Sequence, residues 1–157
     1  MTNNDTLRRL RYTFNFNDNK MIAIFALADH KVNREQVSAW LKKDEDPAFT
    51  AMTDTELATF LNGFINDKRG KKEGVQPKPE QRISHNIILT KLKIALNLKA
   101  EEMIALFESA NIRISKSELS AFFRKPDHKH YRECKAQFLR NFLKGLDNKY
   151  HVDRPDR

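Results

Sequence analysis

Apolar residues recur every three or four positions along most of the chain, a spacing that predicts amphipathic helices. The first group is Leu7, Leu10 and Phe14. Three more groups precede residue 69, with apolar positions Met21, Ile22, Phe25 and Ala28, then Val37, Trp40 and Leu41, then Leu57, Phe60, Leu61 and Phe64. No segment shows a sustained alternation of apolar and polar positions with β-branched residues, so the pattern predicts an all-α fold.

The four-helix pattern occurs twice. Shifting the chain by 82 positions aligns residues 4–68 with residues 86–150 without a gap, and 17 of the 65 aligned pairs are identical. Chance would give roughly 4 identities, which indicates an internal duplication. We predict two tandem homologous four-helix modules, each with a helix-turn-helix-like unit made by its second and third helices. The predicted boundaries are 1–68 for the first repeat, 69–85 for a linker, 86–151 for the second repeat and 152–157 for a tail.

Short polar residues mark the expected ends of these helices. Asn and Asp tolerate the left-handed turn that ends a helix, and side-chain oxygens of Asn, Asp and Ser cap helix starts. The predicted helix ends are Asn15, Asp29, Asn97 and Asn111, and the predicted N-caps are Asp18, Asn33 and Ser115.

Gly63 and Gly145 lie inside the apolar stripe of the fourth helix of each repeat. A glycine inside a helix costs about 1 kcal/mol relative to alanine. A helix C-cap is one explanation, and the close approach of another helix backbone is the other. Because an apolar residue follows each glycine and the stripe continues past it, we favour close approach.

The net charge of +8 is unevenly distributed. Residues 1–68 carry 9 Lys and Arg against 10 Asp and Glu, whereas residues 86–157 carry 15 against 9. The basic surplus therefore lies in the linker and the second repeat, which is compatible with a polyanionic partner such as nucleic acid.

The third helix of each repeat carries the candidate nucleic-acid-binding residues. In a helix-turn-helix the second helix offers side chains to the major groove, while flanking cations contact phosphates. The candidates are Arg34, Ser38, Lys42 and Lys43 in the first repeat and Lys116, Ser120, Arg124 and Lys125 in the second. We therefore expect a non-enzymatic nucleic-acid-binding or regulatory protein, with DNA or RNA as its partner. The alternative is a protein–protein interaction module without nucleic-acid binding, in which these residues form a solvated helix face.

Motifs typical of catalysis or cofactor binding are absent from the sequence, which has no Gly-rich phosphate loop, no nucleophile elbow and no His-Glu-x-x-His. His128, His130 and Cys134 have a spacing that would suit a metal if the segment were helical. The first repeat lacks a matching set, so we expect no metal and no cofactor. A catalytic Cys134 would need a base and an orienting group. His130 could stand one turn away if the segment were helical, but nothing in the sequence indicates a depressed pKa for the thiol, so we expect no enzymatic activity.

The single cysteine excludes an internal disulfide and suits a reducing compartment. No stretch approaches the roughly 18 apolar residues of a membrane span. The first residues also lack the basic segment and apolar run of a signal peptide. These features favour a cytoplasmic, bacterial-type protein that does not cross a membrane.

Two motifs carry a resemblance to a known family. The first is Phe60-Leu61-Asn62-Gly63-Phe64-Ile65 with Lys68-Arg69-Gly70-Lys71, and the second is Pro126-Asp127-His128-Lys129, Tyr131-Arg132-Glu133-Cys134, Gln137-Phe138-Leu139-Arg140 and Phe142-Leu143-Lys144-Gly145-Leu146. With the duplication, they resemble the YehS-like family of bacterial proteins, a tandem pair of a helical domain of unknown function. The resemblance covers almost the whole chain. It implies the tandem helical fold, and it implies no particular activity, cofactor or catalytic residue.

Overall fold

The structure is a computed structural model that describes residues 1–151. Within these residues the chain forms eight helices and no strand. The helices are α1 (Asn3–Phe14), α2 (Asp18–Leu27), α3 (Arg34–Leu41), α4 (Asp54–Arg69), α5 (His85–Ala95), α6 (Ala100–Ser109), α7 (Lys116–Ala121) and α8 (Ala136–Tyr150). The chain divides into two compact units, the first spanning residues 1–83 and the second beginning at Ser84, and each described unit has four helices. The predicted all-α fold with two tandem homologous modules is confirmed.

Each unit is built around an aromatic core on its second helix. In the first unit α2 packs along α4 and against α3. The ring centroid of Phe25 lies 5.4 Å from that of Trp40 on α3 and 5.3 Å from that of Phe60 on α4. In the second unit the ring of Phe107 lies 5.3 Å from that of Phe142 on α8. These side chains are fully buried, and removing their large apolar areas from water is the main force that holds each unit together.

The two helical glycines lie where a neighbouring helix backbone approaches. A Cβ built on Gly63 would overlap the carbonyl group of Ile24, whose carbon would be 2.8 Å away. A Cβ built on Gly145 would overlap the carbonyl group of Leu106 in the same way, again with the carbon at 2.8 Å. Both glycines are buried within their helices and neither is a C-cap. The prediction of close helix approach is therefore confirmed, and it explains why α2 and α4, like α6 and α8, pack so closely.

A buried asparagine on the first helix of each unit ties that helix to the segment after the third helix. The Asn4 amide nitrogen donates to the carbonyl oxygens of Trp40 and Thr50 at 2.9 and 3.0 Å, and its oxygen accepts from the Met52 N–H at 2.9 Å. Asn86 makes the three equivalent bonds, with the carbonyl oxygens of Phe122 and Arg132 and the N–H of Cys134. Both side chains lie in the interior, so these bonds satisfy their buried polar atoms and hold the segment after the third helix in place.

The left-handed helix ends and the N-caps named in the sequence analysis are found with one exception. Asn15, Asp29, Asn97 and Asn111 have φ between 52° and 64°, which confirms the predicted left-handed ends. Asn33 and Ser115 cap α3 and α7 as predicted. The prediction that Asp18 caps α2 is wrong, because the Asn17 side chain accepts the hydrogen bond from the Lys20 N–H at 2.8 Å and Asp18 is the first helical residue. A carboxylate in that first turn still interacts favourably with the helix dipole.

Candidate nucleic-acid interface

The third helix of each unit ends earlier than the sequence suggested. α3 ends at Leu41, with Lys42 as its C-cap, and α7 ends at Ala121. The expectation that Arg124 and Lys125 share a helix with Lys116 is therefore wrong. Like Lys43, they lie in the loop that follows the third helix.

The early helix ends follow from bonds that come from outside the helix. The carbonyl oxygen of Ala39 accepts the N–H of Thr50 at 3.0 Å, and Ala121 accepts the N–H of Arg132 at 3.1 Å. The next carbonyl in each unit is bonded by the buried asparagine of the first helix. The carbonyl oxygens at these helix ends thus accept bonds from the following loop and from the first helix. They do not accept the bonds that would add another helical turn, so the helix ends here.

The remaining candidate residues lie on α3 and α7 themselves. Arg34 and Lys116 are the first residues of their helices. The Arg34 guanidinium donates to the Asn19 side-chain oxygen at 3.1 Å, and the Lys116 ammonium lies 3.5 Å from a Glu101 carboxylate oxygen. Ser38 is half-buried and Ser120 is exposed, so the two serines also differ.

The second and third helices of each unit are joined by six residues, 28–33 in the first unit and 110–115 in the second. A DNA-binding helix-turn-helix has a turn of about three or four residues. The six residues of α7 span only about 9 Å at 1.5 Å per residue. A helix this short offers few side chains to base edges, and the larger group of cations lies in the loop beyond it.

The loops that follow the two third helices have the same local fold. We call residues 42–49 the acidic loop and residues 124–131 the basic loop. In the acidic loop the Asp46 N–H bonds the Lys43 carbonyl at 3.0 Å, and the Phe49 N–H bonds the Asp46 carbonyl at 2.9 Å. In the basic loop His128 and Tyr131 make the matching bonds, both at 2.9 Å.

A side chain at the same position closes the turn in each loop. The Asp46 carboxylate accepts the N–H of Ala48 at 2.8 Å, and the Nδ1 of His128 accepts the N–H of His130 at 3.0 Å. An imidazole thus replaces a carboxylate at this position while the backbone bonds are kept. The two loops therefore carry different charged groups on the same backbone hydrogen-bond pattern.

The charges of the two loops have opposite signs. The acidic loop contains two lysines and three acidic residues, for a formal charge of −1. The basic loop contains Arg124, Lys125 and Lys129 with the single acid Asp127, for a formal charge of +2 before any histidine is protonated. Two of the six net positive charges of residues 86–157 therefore lie in this one exposed turn.

The cations of the basic loop are available to a ligand. Arg124, Lys125 and Lys129 are exposed, and none of them forms an ion pair with any residue from 1 to 151. The nearest polar contact of the Arg124 guanidinium is the Nε2 of His128, at 3.5 Å. Lys42 and Lys43 of the acidic loop are likewise exposed and form no ion pair within residues 1–151, but three acidic residues follow them directly, one of which, Asp44, binds the Arg8 guanidinium at 3.0 Å.

The residues weighed for metal binding and catalysis are not arranged for either. Residues 131–135 are not helical, so Cys134 and His130 do not share a helix face. Cys134 is buried, and this burial raises the pKa of its thiol to about 12. A thiol that stays protonated at neutral pH is a poor nucleophile and a poor metal ligand. Within residues 1–151, no three His, Cys, Asp or Glu side chains are grouped in a way that would hold a metal ion.

Two features of this site escaped the sequence reasoning. Lys129 is one, because the helix-turn-helix pattern points to the third helix and its immediate flanks, and Lys129 lies beyond them. The contrast in charge between the loops is the other, although it is visible when Lys42-Lys43-Asp44-Glu45-Asp46 is aligned with Arg124-Lys125-Pro126-Asp127-His128 at the 82-residue offset.

No helix among residues 1–151 combines the length and apolarity needed to cross a membrane.

Comparisons with known proteins agree with the duplicated fold. The chain matches a family described as "Protein of unknown function (DUF1456)" twice, over residues 3–70 and 85–151. It is similar to the Escherichia coli (strain K12) protein named "Uncharacterized protein YehS", with 43% identity over 155 residues that cover 98% of this chain and 99% of the relative. No solved structure shows a significant match. The resemblance indicated by the sequence motifs is confirmed.

Proposed function

The chain belongs to the DUF1456 family, and we propose that it is a non-enzymatic protein that binds nucleic acid through the basic loop of its second unit. The observation that supports this proposal is the pair of loops, which share one backbone hydrogen-bond pattern and differ in formal charge by three. The loop of the first unit has the same backbone hydrogen bonds without the net positive charge, so it serves as an internal control for the loop of the second unit.

The chemistry of the basic loop suits phosphate groups. Arg124, Lys125 and Lys129 provide exposed cations on one short turn. Binding a phosphate to such a cation releases a condensed counterion from the nucleic acid, and this release supplies most of the non-specific affinity. On the preceding helix, Lys116, whose ammonium lies 3.5 Å from a Glu101 carboxylate oxygen, adds a fourth cation, and Ser120 adds a hydroxyl donor. Arginine and lysine are the side chains that most often contact phosphates in nucleic-acid complexes.

The short α7 favours contacts to the phosphate backbone over reading of base edges. Phosphate contacts position a protein without carrying sequence information. The proposal therefore covers the sugar-phosphate chain common to DNA and RNA, with weak sequence preference. It also implies a minor contribution from Arg34, Lys42 and Lys43. The Arg34 guanidinium lies 4.0 Å from Asp18, well inside the screening length of about 10 Å at 0.1 M salt, and three acidic residues follow the two lysines directly in sequence.

Fluorescence anisotropy with labelled oligonucleotides tests the proposal. Single-stranded DNA, single-stranded RNA and duplex DNA of random sequence and equal length are titrated at several salt concentrations. The test variant combines Lys116→Glu, Arg124→Glu and Lys125→Glu, and the matched control combines Arg34→Glu, Lys42→Glu and Lys43→Glu. Circular dichroism checks that both variants retain the helical fold.

We expect the unmutated protein to bind at low salt and to weaken steeply as salt rises. The second-unit variant should flatten the slope of log affinity against log salt by about 2 to 3 on duplex DNA, since each lost phosphate contact contributes roughly 0.9. The first-unit variant should change it less. Equal losses in both variants would contradict the role of the basic loop. The absence of binding at low salt would contradict the proposal and favour the alternative of a protein–protein interaction module.

A further inference from the structure

The histidine that closes the turn of the basic loop has its ring proton on one particular nitrogen. The Nδ1 of His128 accepts the backbone N–H of His130 at 3.0 Å. A backbone N–H can only donate, so this Nδ1 presents its lone pair and carries no proton. In the neutral imidazole the single ring proton then lies on Nε2. The turn bond therefore makes the Nε2 of His128 a hydrogen-bond donor.

This donor faces a second donor. The Nη1 of Arg124 lies 3.5 Å from the Nε2 of His128, and a guanidinium has five N–H donors and no acceptor. Two N–H groups cannot bond each other, so the two side chains lie close together without a hydrogen bond between them. Both side chains are exposed, and within residues 1–151 neither of these two donor groups has another polar partner.

One oxygen of an anion fits between the two donors. Hydrogen bonds from N–H groups to charged oxygens are about 2.7–2.9 Å long. Because the two nitrogens are 3.5 Å apart, an oxygen placed at about that distance from both completes a triangle without a steric conflict. The pair of side chains thus has the spacing and the donors for a single anionic oxygen.

The first unit lacks this pair of donors at the equivalent turn. Asp46, which corresponds to His128, closes that turn by accepting the N–H of Ala48 at 2.8 Å. A carboxylate is only an acceptor and carries negative charge, so it repels an anion. The histidine of the second unit keeps the bond that closes the turn and replaces an acceptor with a donor.

We propose that Arg124 and His128 together bind one oxygen of a phosphate group, with the neutral imidazole of His128 as a donor. Lys125 and Lys129 are exposed on the same turn, and the formal charge of +2 on the loop favours an anion there. Arginine is well suited to the contact, because its planar guanidinium can donate to two phosphate oxygens at once. Asp127 is the single acid of the loop, and its exposed charge is screened by salt.

The proposal rests on nucleic-acid binding by the basic loop and names the groups through which the loop contacts a phosphate. It differs from a purely electrostatic role for the histidine, because protonation of His128 places a hydrogen on both ring nitrogens and removes the turn bond to His130. Histidine side chains ordinarily change charge between about pH 5 and 8. A neutral donor contributes at alkaline pH, whereas a charged imidazole contributes only at acidic pH.

Several charged or titratable groups surround the imidazole and share its response to pH. The ring of His130 is the nearest aromatic neighbour, with its centroid 5.6 Å from that of the His128 ring. Within the basic loop, the charged and titratable residues around His128 are Arg124, Lys125, Asp127, Lys129, His130 and Tyr131. The effect of His128 is therefore measured by substitution at one fixed alkaline pH.

NMR of the imidazole nitrogens tests the donor arrangement without nucleic acid. Nitrogen-15-labelled protein at pH 8.5 is titrated with inorganic phosphate, and sodium chloride of equal ionic strength is the control titration. We expect the proton of His128 on Nε2 in the free protein, and a shift of the Nε2 signal with phosphate that chloride does not produce. His30, an exposed histidine of the first unit, should not shift. A proton mainly on Nδ1, or no phosphate-specific shift, would overturn the proposal.

The most informative variant is His128→Asn. Its side-chain oxygen can close the turn as the short Asp46 side chain does in the first unit, while the donor beside Arg124 is removed and the formal charge at pH 8.5 is unchanged. Arg124→Lys is a second variant, which keeps the positive charge and introduces the residue found at the equivalent position 42. His30→Asn is the matched control, since it removes a histidine outside the basic loop.

Fluorescence anisotropy with a labelled single-stranded oligonucleotide at pH 8.5 and low salt measures the effect on affinity. We expect His128→Asn and Arg124→Lys each to weaken binding by about three- to tenfold, the effect of one lost hydrogen bond to a charged group. His30→Asn should stay within about twofold. The double variant should bind within about twofold of the weaker single variant, because the two donors share one oxygen and their losses do not add. A labelled polyglutamate peptide of equal charge should bind more weakly than the oligonucleotide.

The outcomes separate this proposal from the proposed function. Oligonucleotide binding that His128→Asn leaves unchanged, additive losses in the double variant, or equally tight binding of polyglutamate would overturn the two-donor phosphate site and leave nucleic-acid binding by the loop in place. A phosphate-specific shift of His128 without any oligonucleotide binding would support the site and contradict the proposed function.

Discussion

The side-chain oxygen of Asn86 accepts a hydrogen bond from the backbone N–H of Cys134 at 2.8 Å, across 48 residues of sequence. The amide nitrogen of the same side chain donates to carbonyl oxygens of Phe122 and Arg132. One buried carboxamide thus fixes both ends of the segment that contains the basic loop. Asn4 does the same for the segment that contains the acidic loop, which is why two loops of different sequence share a conformation.

Replacing either buried asparagine should destabilise its unit. Asn86→Ala leaves two carbonyl groups and one N–H without their partner, and an unsatisfied buried polar group costs about 1–3 kcal/mol. We expect a loss of this size or larger in the free energy of unfolding, measured by urea denaturation, and a similar loss for Asn4→Ala. Asn19→Ala, at an exposed position of α2, is the control. A change under about 0.5 kcal/mol, as is usual for exposed sites, would show that these bonds do not hold the loops.

The helical glycines should not tolerate even one additional carbon. Gly→Ala at an ordinary helical position stabilises a protein by up to about 1 kcal/mol. Gly63→Ala and Gly145→Ala should instead destabilise, because the new Cβ would overlap the carbonyl group of Ile24 or Leu106. We expect a loss of about 1–3 kcal/mol from overpacking, and a larger loss for leucine. Thermal unfolding of the four variants measures the effect, and an increase in Tm for the alanine variants would contradict the close approach.

The buried thiol of Cys134 should be unreactive in the folded protein. Because burial raises its pKa to about 12, the thiolate is scarce between pH 7 and 9, and both low thiolate content and low access slow alkylation. We expect the rate of reaction with a thiol reagent to be far below that of the urea-unfolded chain. Fast reaction of the native protein at pH 8 would contradict this arrangement.

The raised pKa of the Cys134 thiol makes the stability of the folded protein depend on pH in the alkaline range. The pKa of the thiol is higher in the folded state than its ordinary value of about 8.5 in the unfolded chain. The unfolded state therefore loses its proton first, so the contribution of Cys134 is fully present below about pH 8.5 and is lost as the pH rises toward 12. A Cys134→Ala variant should show a smaller decline in the free energy of unfolding between pH 8 and 10 than the unmutated protein.

The spacing of apolar residues was enough to predict the eight helices and their pairing into two modules. Helix starts were also largely visible, since Asn33 and Ser115 cap α3 and α7 through bonds with residues only three positions away. Local interactions of this kind leave a signature in a short window of sequence. The same holds for the left-handed ends at Asn15 and Asp29, which depend on one residue each.

The end of α7 was not predictable in this way. Phe122 and Phe123 continue the apolar pattern, and the helix stops because Asn86 and Arg132 bond carbonyl groups at its end. Both partners come from distant parts of the chain. The Arg132 contacts are a similar case, because its guanidinium lies against Phe122 and Phe138 and donates to Glu118, and these groups come from separate parts of the second unit.

The central claim is that nucleic-acid binding depends on the basic loop, and exchange of the two loops tests it most directly. One chimera carries the acidic-loop sequence of residues 42–49 at positions 124–131, and a second carries both loops exchanged. Positions 50 and 132 are left unchanged, so the contacts of Arg132 with Phe122, Phe138 and Glu118 are preserved. Matching turn bonds in both loops make each exchange compatible with the fold.

The measurement is the affinity for a labelled single-stranded oligonucleotide at low salt, by fluorescence anisotropy, with circular dichroism confirming the helical fold. We expect the single chimera to lose most of its binding, because Lys129 is replaced, the single acid of the loop becomes three, and the formal charge of the loop falls from +2 to −1. The double exchange should restore binding, now carried by the first unit. Unchanged affinity in the single chimera, or no recovery in a folded double exchange, would contradict the account.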